Sequence, residues 1–172
     1  MKKNLMALIA ITVILCLAAC SGGAAAQPEA SNPAAEKVSG ITVPAFSVSV
    51  NGIEITQEAV AAYPVYSVQA TTVNSSGTES TAIYIGYTVK DILDAAGLSE
   101  DYIWLEASAD DGYTITLTGE TILQDTTLLA VMKDDQPFAA APWLAPCNDK
   151  KSGNYLKNTV SILVSTTEPA AG

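Results

Sequence analysis

Apolar and polar positions alternate with a period of two along most of this chain. Phe46, Val48 and Val50 are spaced by serines, Asn51-Gly52 turns the chain, and Ile53 and Ile55 resume the alternation, which predicts a two-residue hairpin. Thr56 to Ala62 fits one or two helical turns, stopped at Tyr63-Pro64 because the residue before proline avoids the helical region. Val65 to Val73 reads as a long strand that ends in the polar loop Asn74 to Ser80, from which a second strand returns. Tyr102 to Ala107 and Tyr113 to Thr118 form another hairpin about Asp110-Asp111-Gly112. Thr127 to Met132 is a strand closed by the turn Asp134 to Pro137, and Val160 to Val164 is the last one. Between these two lies Phe138 to Lys157, which has prolines at 142 and 146 and no period. A loop of this length is expected to be functional or to wrap the core.

One stretch breaks the β pattern. From Thr88 onward, Val89, Ile92, Leu93 and Ala96 fall at i, i+3, i+4 and i+7, so one narrow stripe is apolar while Lys90, Asp91 and Asp94 face water. Thr88 is placed to cap this helix, and Asp91 to reach back to the cap's N–H. Gly97 supplies a left-handed stop and Leu98 folds back onto the last turn. So short a helix is not stable alone and must lie on a sheet.

Composition narrows the chemistry. All 18 acidic residues follow Cys20, and Lys2 and Lys3 precede it, so the part after Cys20 carries 6 − 18 = −12 at neutral pH. This charge excludes nucleic acid as a partner. All eight basic residues are lysine, with no arginine and no histidine. The chain therefore lacks the usual general base near neutral pH, the commonest metal ligand, and the bidentate fork that grips phosphate.

The N-terminal run reads as a secretion signal: Lys2 and Lys3, an apolar stretch from Leu5 to Ala19, then a small-residue site. Leu17-Ala18-Ala19-Cys20 resembles the lipobox of bacterial lipoproteins. That resemblance implies that Cys20 becomes the first residue, carries lipid on its thiol, and anchors the chain to the extracytoplasmic face of the cell membrane. Residues 21–40, rich in Ala, Gly, Ser and Pro, are expected to be a flexible linker, residues 41–166 the domain, and 167–172 a short disordered tail. Once Cys16 leaves with the signal, Cys147 is the one free thiol of the domain and no internal disulfide forms.

Taken in order, the hairpin, the Tyr-Pro stop, the strand into a polar loop, Gly86-Tyr87-Thr88-Val89-Lys90-Asp91-Ile92-Leu93, Ala109-Asp110-Asp111-Gly112-Tyr113, Leu128 to Pro137 and the final Val160 to Val164 form a series. This series resembles the molybdopterin-binding oxidoreductase domain of the sulfite oxidase type, over roughly Val43 to Ser165. The resemblance implies an α+β fold, mostly β, with a mixed, bent sheet and a few short helices. In that family a cysteine after the long strand binds molybdenum; here Val73-Asn74-Ser75-Ser76-Gly77 stands in its place. Where the family commonly shows Pro-Arg-Leu, this chain has Pro142-Trp143-Leu144. The resemblance thus carries the scaffold without its chemistry: no catalytic residue, no bound metal, and molybdopterin only if the chain is an oxidoreductase after all.

Other residues have ordinary structural roles. Asp110-Asp111 with Asp101 and Glu106 nearby, and Asp134-Asp135, lack the alternation and distal glutamate of a calcium loop and read as hairpin turns. Cys147 has only Lys150 and Lys151 near it in sequence and reads as a structural thiol rather than a reactive one. Tyr84, Tyr87, Tyr113, Trp143 and Tyr155 suit core and rim packing. If a ligand pocket exists, the family's cofactor region places it at Asn74, Ser75, Ser76, Tyr84, Tyr113 and Trp143, suited to a neutral or cationic small molecule. The expected function is a lipid-anchored binding or accessory module. The alternatives are a pterin-binding oxidoreductase or electron-transfer component, and a structural surface protein that binds a partner chain of the envelope.

Overall fold

The computed structural model describes residues 33–98 and 101–167, all within the unit Asn32–Gly172. The expected signal segment, Cys20, most of the linker and residues 168–172 lie outside the described residues. In chain order the strands are β1 (Glu36–Val38), β2 (Ser47–Val50), β3 (Ile53–Thr56), β4 (Val65–Val73), β5 (Glu79–Thr88), β6 (Trp104–Ala109), β7 (Thr114–Thr118), β8 (Thr127–Lys133), β9 (Gln136–Pro137), β10 (Trp143–Pro146) and β11 (Thr159–Ser165). Two short helices, α1 (Val89–Ala95) and α2 (Gly119–Ile122), follow β5 and β7. The fold is α+β and mostly β, as expected, and the mixed β structure is divided between two sheets.

The first sheet runs β1-β4-β5-β8-β10, with β9 added on β8, and every pair in it is antiparallel. The second runs β3-β2-β11-β6-β7 and holds one parallel pair, β2 with β11. Asn51 and Gly52 turn the β2–β3 hairpin at φ 47 and 84, the left-handed pair that a two-residue turn needs. The Asn51 side chain also accepts from the Val164 N–H (2.9 Å) and donates to the Val164 carbonyl (3.3 Å), so the turn residue prolongs the β2–β11 pairing.

The helix follows its sequence signals closely. The Thr88 hydroxyl accepts the Asp91 N–H, and Gly97 at φ 72 ends the helix with Leu98 N–H to Leu93 carbonyl (2.9 Å) and Gly97 N–H to Asp94 carbonyl (2.8 Å). One detail differs: the Asp91 carboxylate accepts from the Thr88 hydroxyl at 2.7 Å rather than from its N–H. The stripe Val89, Ile92, Leu93 and Ala96 joins Val48, Val50, Leu105, Leu129 and Ile162 in the main core, which the second sheet, α1 and the inner face of the first sheet share.

Three expectations need correction. Thr56 to Ala62 is not helical. Its N–H groups make successive three-residue turns, Ala59 to Thr56, Ala61 to Glu58 and Tyr63 to Val60, and Val60 alone of its apolar residues is buried, so one anchor cannot hold a helix there. The linker gives up Glu36–Val38 to the first sheet, where it pairs with Val65–Ser67. The long loop contains a strand, β10, whose Trp143–Pro146 pairs with Thr127–Ala130.

A bulge decides which side chains reach the outer face of the first sheet. The β5–β8 register steps from Ile85↔Met132 to Gly86↔Ala130, leaving Val131 unpaired and buried. That extra residue puts Lys133, rather than Met132, opposite Tyr84. Gly86 makes the close approach possible, because a Cβ there would lie 2.2 Å from the Leu129 carbonyl oxygen and 2.7 Å from the Ala130 Cα.

Candidate functional site

The first sheet has two faces of different chemistry. Its inner face feeds the main core through Tyr87, Leu129 and Leu144. Its outer face carries Val68, Tyr84, Leu128, Ala130, Ala145 and Cys147, because residues at alternate positions of β4, β5, β8 and β10 share a side. Tyr66, Phe138 and Trp143 pack against that cluster and remain partly open to solvent. Phe138 and Trp143 stack with ring centroids 4.4 Å apart at 4°, and Tyr84 tilts against Tyr155 at 5.4 Å.

Three of the rings on this side, two of them partly exposed and Tyr84 buried, have a lysine above them. Lys37 stands 5.9 Å from the Tyr66 centroid, Lys133 5.8 Å from Tyr84, and Lys157 5.1 Å from Trp143. Each contact is worth about 0.5–1 kcal/mol at an exposed site. The geometry also holds three ammonium groups on one surface of an otherwise acidic chain.

Beneath the rings lies a small polar interior. The Cys147 thiol is 3 % exposed and makes a 3.5 Å contact with the Ala145 carbonyl. Burial pushes its pKa up to about 12, which outweighs a hydrogen bond with Tyr155. Burial also raises Tyr84 to about 12, and raises Tyr155 further with help from Cys147 and Tyr84 beside it. None of these groups ionises near neutral pH, so this interior offers neither thiolate nor phenolate.

The residues singled out from the sequence do not meet at one point. Tyr84 and Trp143 share the outer face, but Asn74, Ser75 and Ser76 form the exposed tip of the β4–β5 hairpin. There the Asn74 side-chain oxygen accepts from the Ser76 and Thr78 N–H groups, both at 2.9 Å, so its amide is committed to closing the turn. Tyr113 stands 57 % exposed in the β6–β7 turn, on the other sheet. Asp111 accepts the Tyr113 N–H, and Asp134 accepts the Ile83 N–H at 2.8 Å, so both aspartates act as turn residues. Among the described residues no group of three His, Cys, Asp or Glu side chains converges on a point.

The fold is similar to that in the crystal structure of the sulfane dehydrogenase SoxCD from Paracoccus pantotrophus. The TM-score is 0.59 at 14% identity, over 71% of this chain and 38% of that one. The likeness carries the fold, and the chain spans well under half the length of that neighbour. No family model and no curated protein matches the sequence. The hairpin after β4 presents an amide that is committed to its own turn, and the one described thiol is buried and protonated at neutral pH.

Sequence reasoning missed Lys37, Lys133, Lys157, Tyr66 and Phe138. Strand alternation signals Tyr66, but the bulge that aims Lys133 leaves no mark in the sequence. A separate cleft of about 320 Å³ lies between Asn51, Leu98, Tyr102 and Val164; among the described residues that line it there is no carboxylate, thiol or lysine. No helix of the described residues is long and apolar enough to cross a membrane.

Proposed function

We propose that this chain is an extracytoplasmic accessory module, held at the cell membrane through Cys20, whose sulfite oxidase-type domain binds a partner and does not catalyse. The observation that carries this reading is the hairpin at Asn74. A family of this fold would present its metal ligand there, and here the side chain is closed into a turn by two backbone N–H groups. The lack of arginine and histidine elsewhere removes the groups that would hold a pterin phosphate or move protons at neutral pH.

The recognition surface in this reading is the outer face of the first sheet. Its rings supply apolar area, and Lys37, Lys133 and Lys157 above them favour a partner that is anionic rather than cationic. Two measurements test the function. Metal and pterin analysis of the full chain purified from membranes should find neither in stoichiometric amount, and stoichiometric molybdenum would overturn the non-catalytic reading. Cys20→Ala should move the protein out of the membrane fraction, and a variant that stays there would overturn the anchor.

A further inference from the structure

Charge is divided unevenly over the described residues. Residues 47–64, 89–126 and 158–167, which build the second sheet and the helices, carry ten carboxylates against Lys90 alone, and Lys90 is paired with Asp125. Residues 33–46, 65–88 and 127–157, which build the first sheet, carry five of each sign. Of those five carboxylates, Glu36 and Glu79 alternate onto the inner side of their strands, which leaves Asp134, Asp135 and Asp149 against the five lysines. Away from its inner face, this half of the domain therefore carries more lysines than carboxylates, the reverse of the second sheet.

The same face carries an uncharged run, Gln136 to Asn148. Within it Pro137, Ala139 and Ala140 are exposed, and the stacked Phe138 and Trp143 are partly so. Exposed small apolar residues thus lie beside a partly exposed Trp–Phe stack, with Lys157 over the Trp143 ring and Lys133 over Tyr84. Aromatic side chains favour the water–lipid boundary, and lysines beside them meet anionic headgroups. The outer cluster itself is buried, so what faces solvent here is its aromatic rim, Tyr66, Phe138 and Trp143, with the exposed residues beside Phe138.

We infer that this face docks on an anionic phospholipid surface, with Phe138 and Trp143 in the headgroup layer and Lys37, Lys133 and Lys157 against its phosphates. The inference rests on the anchored reading above and names the partner of that face. Where the chain enters the fold agrees with it. Ala35, just ahead of β1, packs into the outer cluster, and the residues from Cys20 to Asn32 span at most about 45 Å at full extension. A bilayer holding Cys20 is thus within reach of this face, and the acidic second sheet is turned away from it.

The two tryptophans allow a direct test, because Trp143 is on this face and Trp104 is on the second sheet. The full acylated chain, as Trp104→Phe or Trp143→Phe, is reconstituted into vesicles of phosphatidylcholine alone or mixed equally with phosphatidylglycerol, each carrying headgroup spin label. On the mixed vesicles Trp143 emission should shift to the blue and fall by about twofold, and Trp104 emission should not change. Lys133→Glu and Lys157→Glu should each weaken the Trp143 response about fivefold without releasing the protein from the vesicles. Protein that sediments with both vesicle types but shows no quenching, or equal quenching of both tryptophans, overturns the docking and leaves the anchor standing. Protein that fails to sediment with phosphatidylcholine vesicles overturns the anchor, and the docking with it. Trp143 that stays unquenched on lipid but is shielded by added envelope protein also overturns the docking, in favour of a protein partner.

Discussion

Replacing Gly86 by alanine tests how the bulge arranges the outer face. The new Cβ would lie 2.2 Å from the Leu129 carbonyl oxygen, 2.7 Å from the Ala130 Cα and 2.9 Å from the Leu129 carbonyl carbon. All three are backbone atoms of the neighbouring strand, so no side chain can swing aside. The strands must part or lose their bulged register. Overpacking of this kind costs about 1–3 kcal/mol, and the rigid backbone on both sides puts this case at the upper end. With the denaturant slope of a domain this size, the urea midpoint should fall by about 1–2 M. Gly77→Ala is the control. Its φ of 78 also disfavours alanine, but the space around it is open, so its cost is the left-handed backbone alone, about 1–2 kcal/mol. Far-UV circular dichroism during urea unfolding measures both variants. A Gly86→Ala protein within about 0.5 kcal/mol of the parent would refute the close-approach argument.

Two further outcomes follow from the same structure. Asn51→Gly keeps the left-handed turn but removes both bonds to Val164, so it should destabilise by about 1–2 kcal/mol in the same urea assay. Cys147 and Tyr84 both have raised pKa values in the fold, about 12 each against 9.0 and 10.0. Above pH 9 the unfolded chain loses protons that the folded chain keeps, so stability should fall as pH rises from about 9 towards 12. Cys147→Ala should flatten the lower part of that decline, and an unchanged slope would exclude the thiol as its source.

Much of the fold is written in short-range chemistry. The Asn51-Gly52 turn, the Thr88 cap and the Gly97 stop each depend on residues within a few positions, and all three stand as expected. The strand β10 has no such signal. Its four residues are buried or nearly so on both sides, and a proline ends it, so no alternation marks it. β1 is three residues long, two of them charged, and only its partner β4 makes it a strand. Thr56 to Ala62 misleads in the opposite direction, with a helical composition but a single buried residue.

The candidate site was less legible for a related reason. Grouping Tyr84, Tyr113 and Trp143 as aromatic residues ignores the division into two sheets, which separates Tyr113 from the others. Lys133 reaches Tyr84 only because Val131 is an extra residue, and counting along the strand would have put Met132 there. Asn74 follows the long strand, as the polar loop after Val73 signals, yet its amide serves the turn itself.

The central strand of the second sheet, β11, is also the last of the described strands. It joins β2, more than a hundred residues earlier, to the β6–β7 hairpin, and the contact between Asn51 and Val164 spans 113 positions. Without it, the β2–β3 and β6–β7 hairpins have no common neighbour. A chain delivered amino end first must therefore wait for Thr159–Ser165 before the second sheet can close. Such a long-range requirement delays folding, and it leaves β2–β3 and β6–β7 as separate hairpins until Thr159–Ser165 is available to join them.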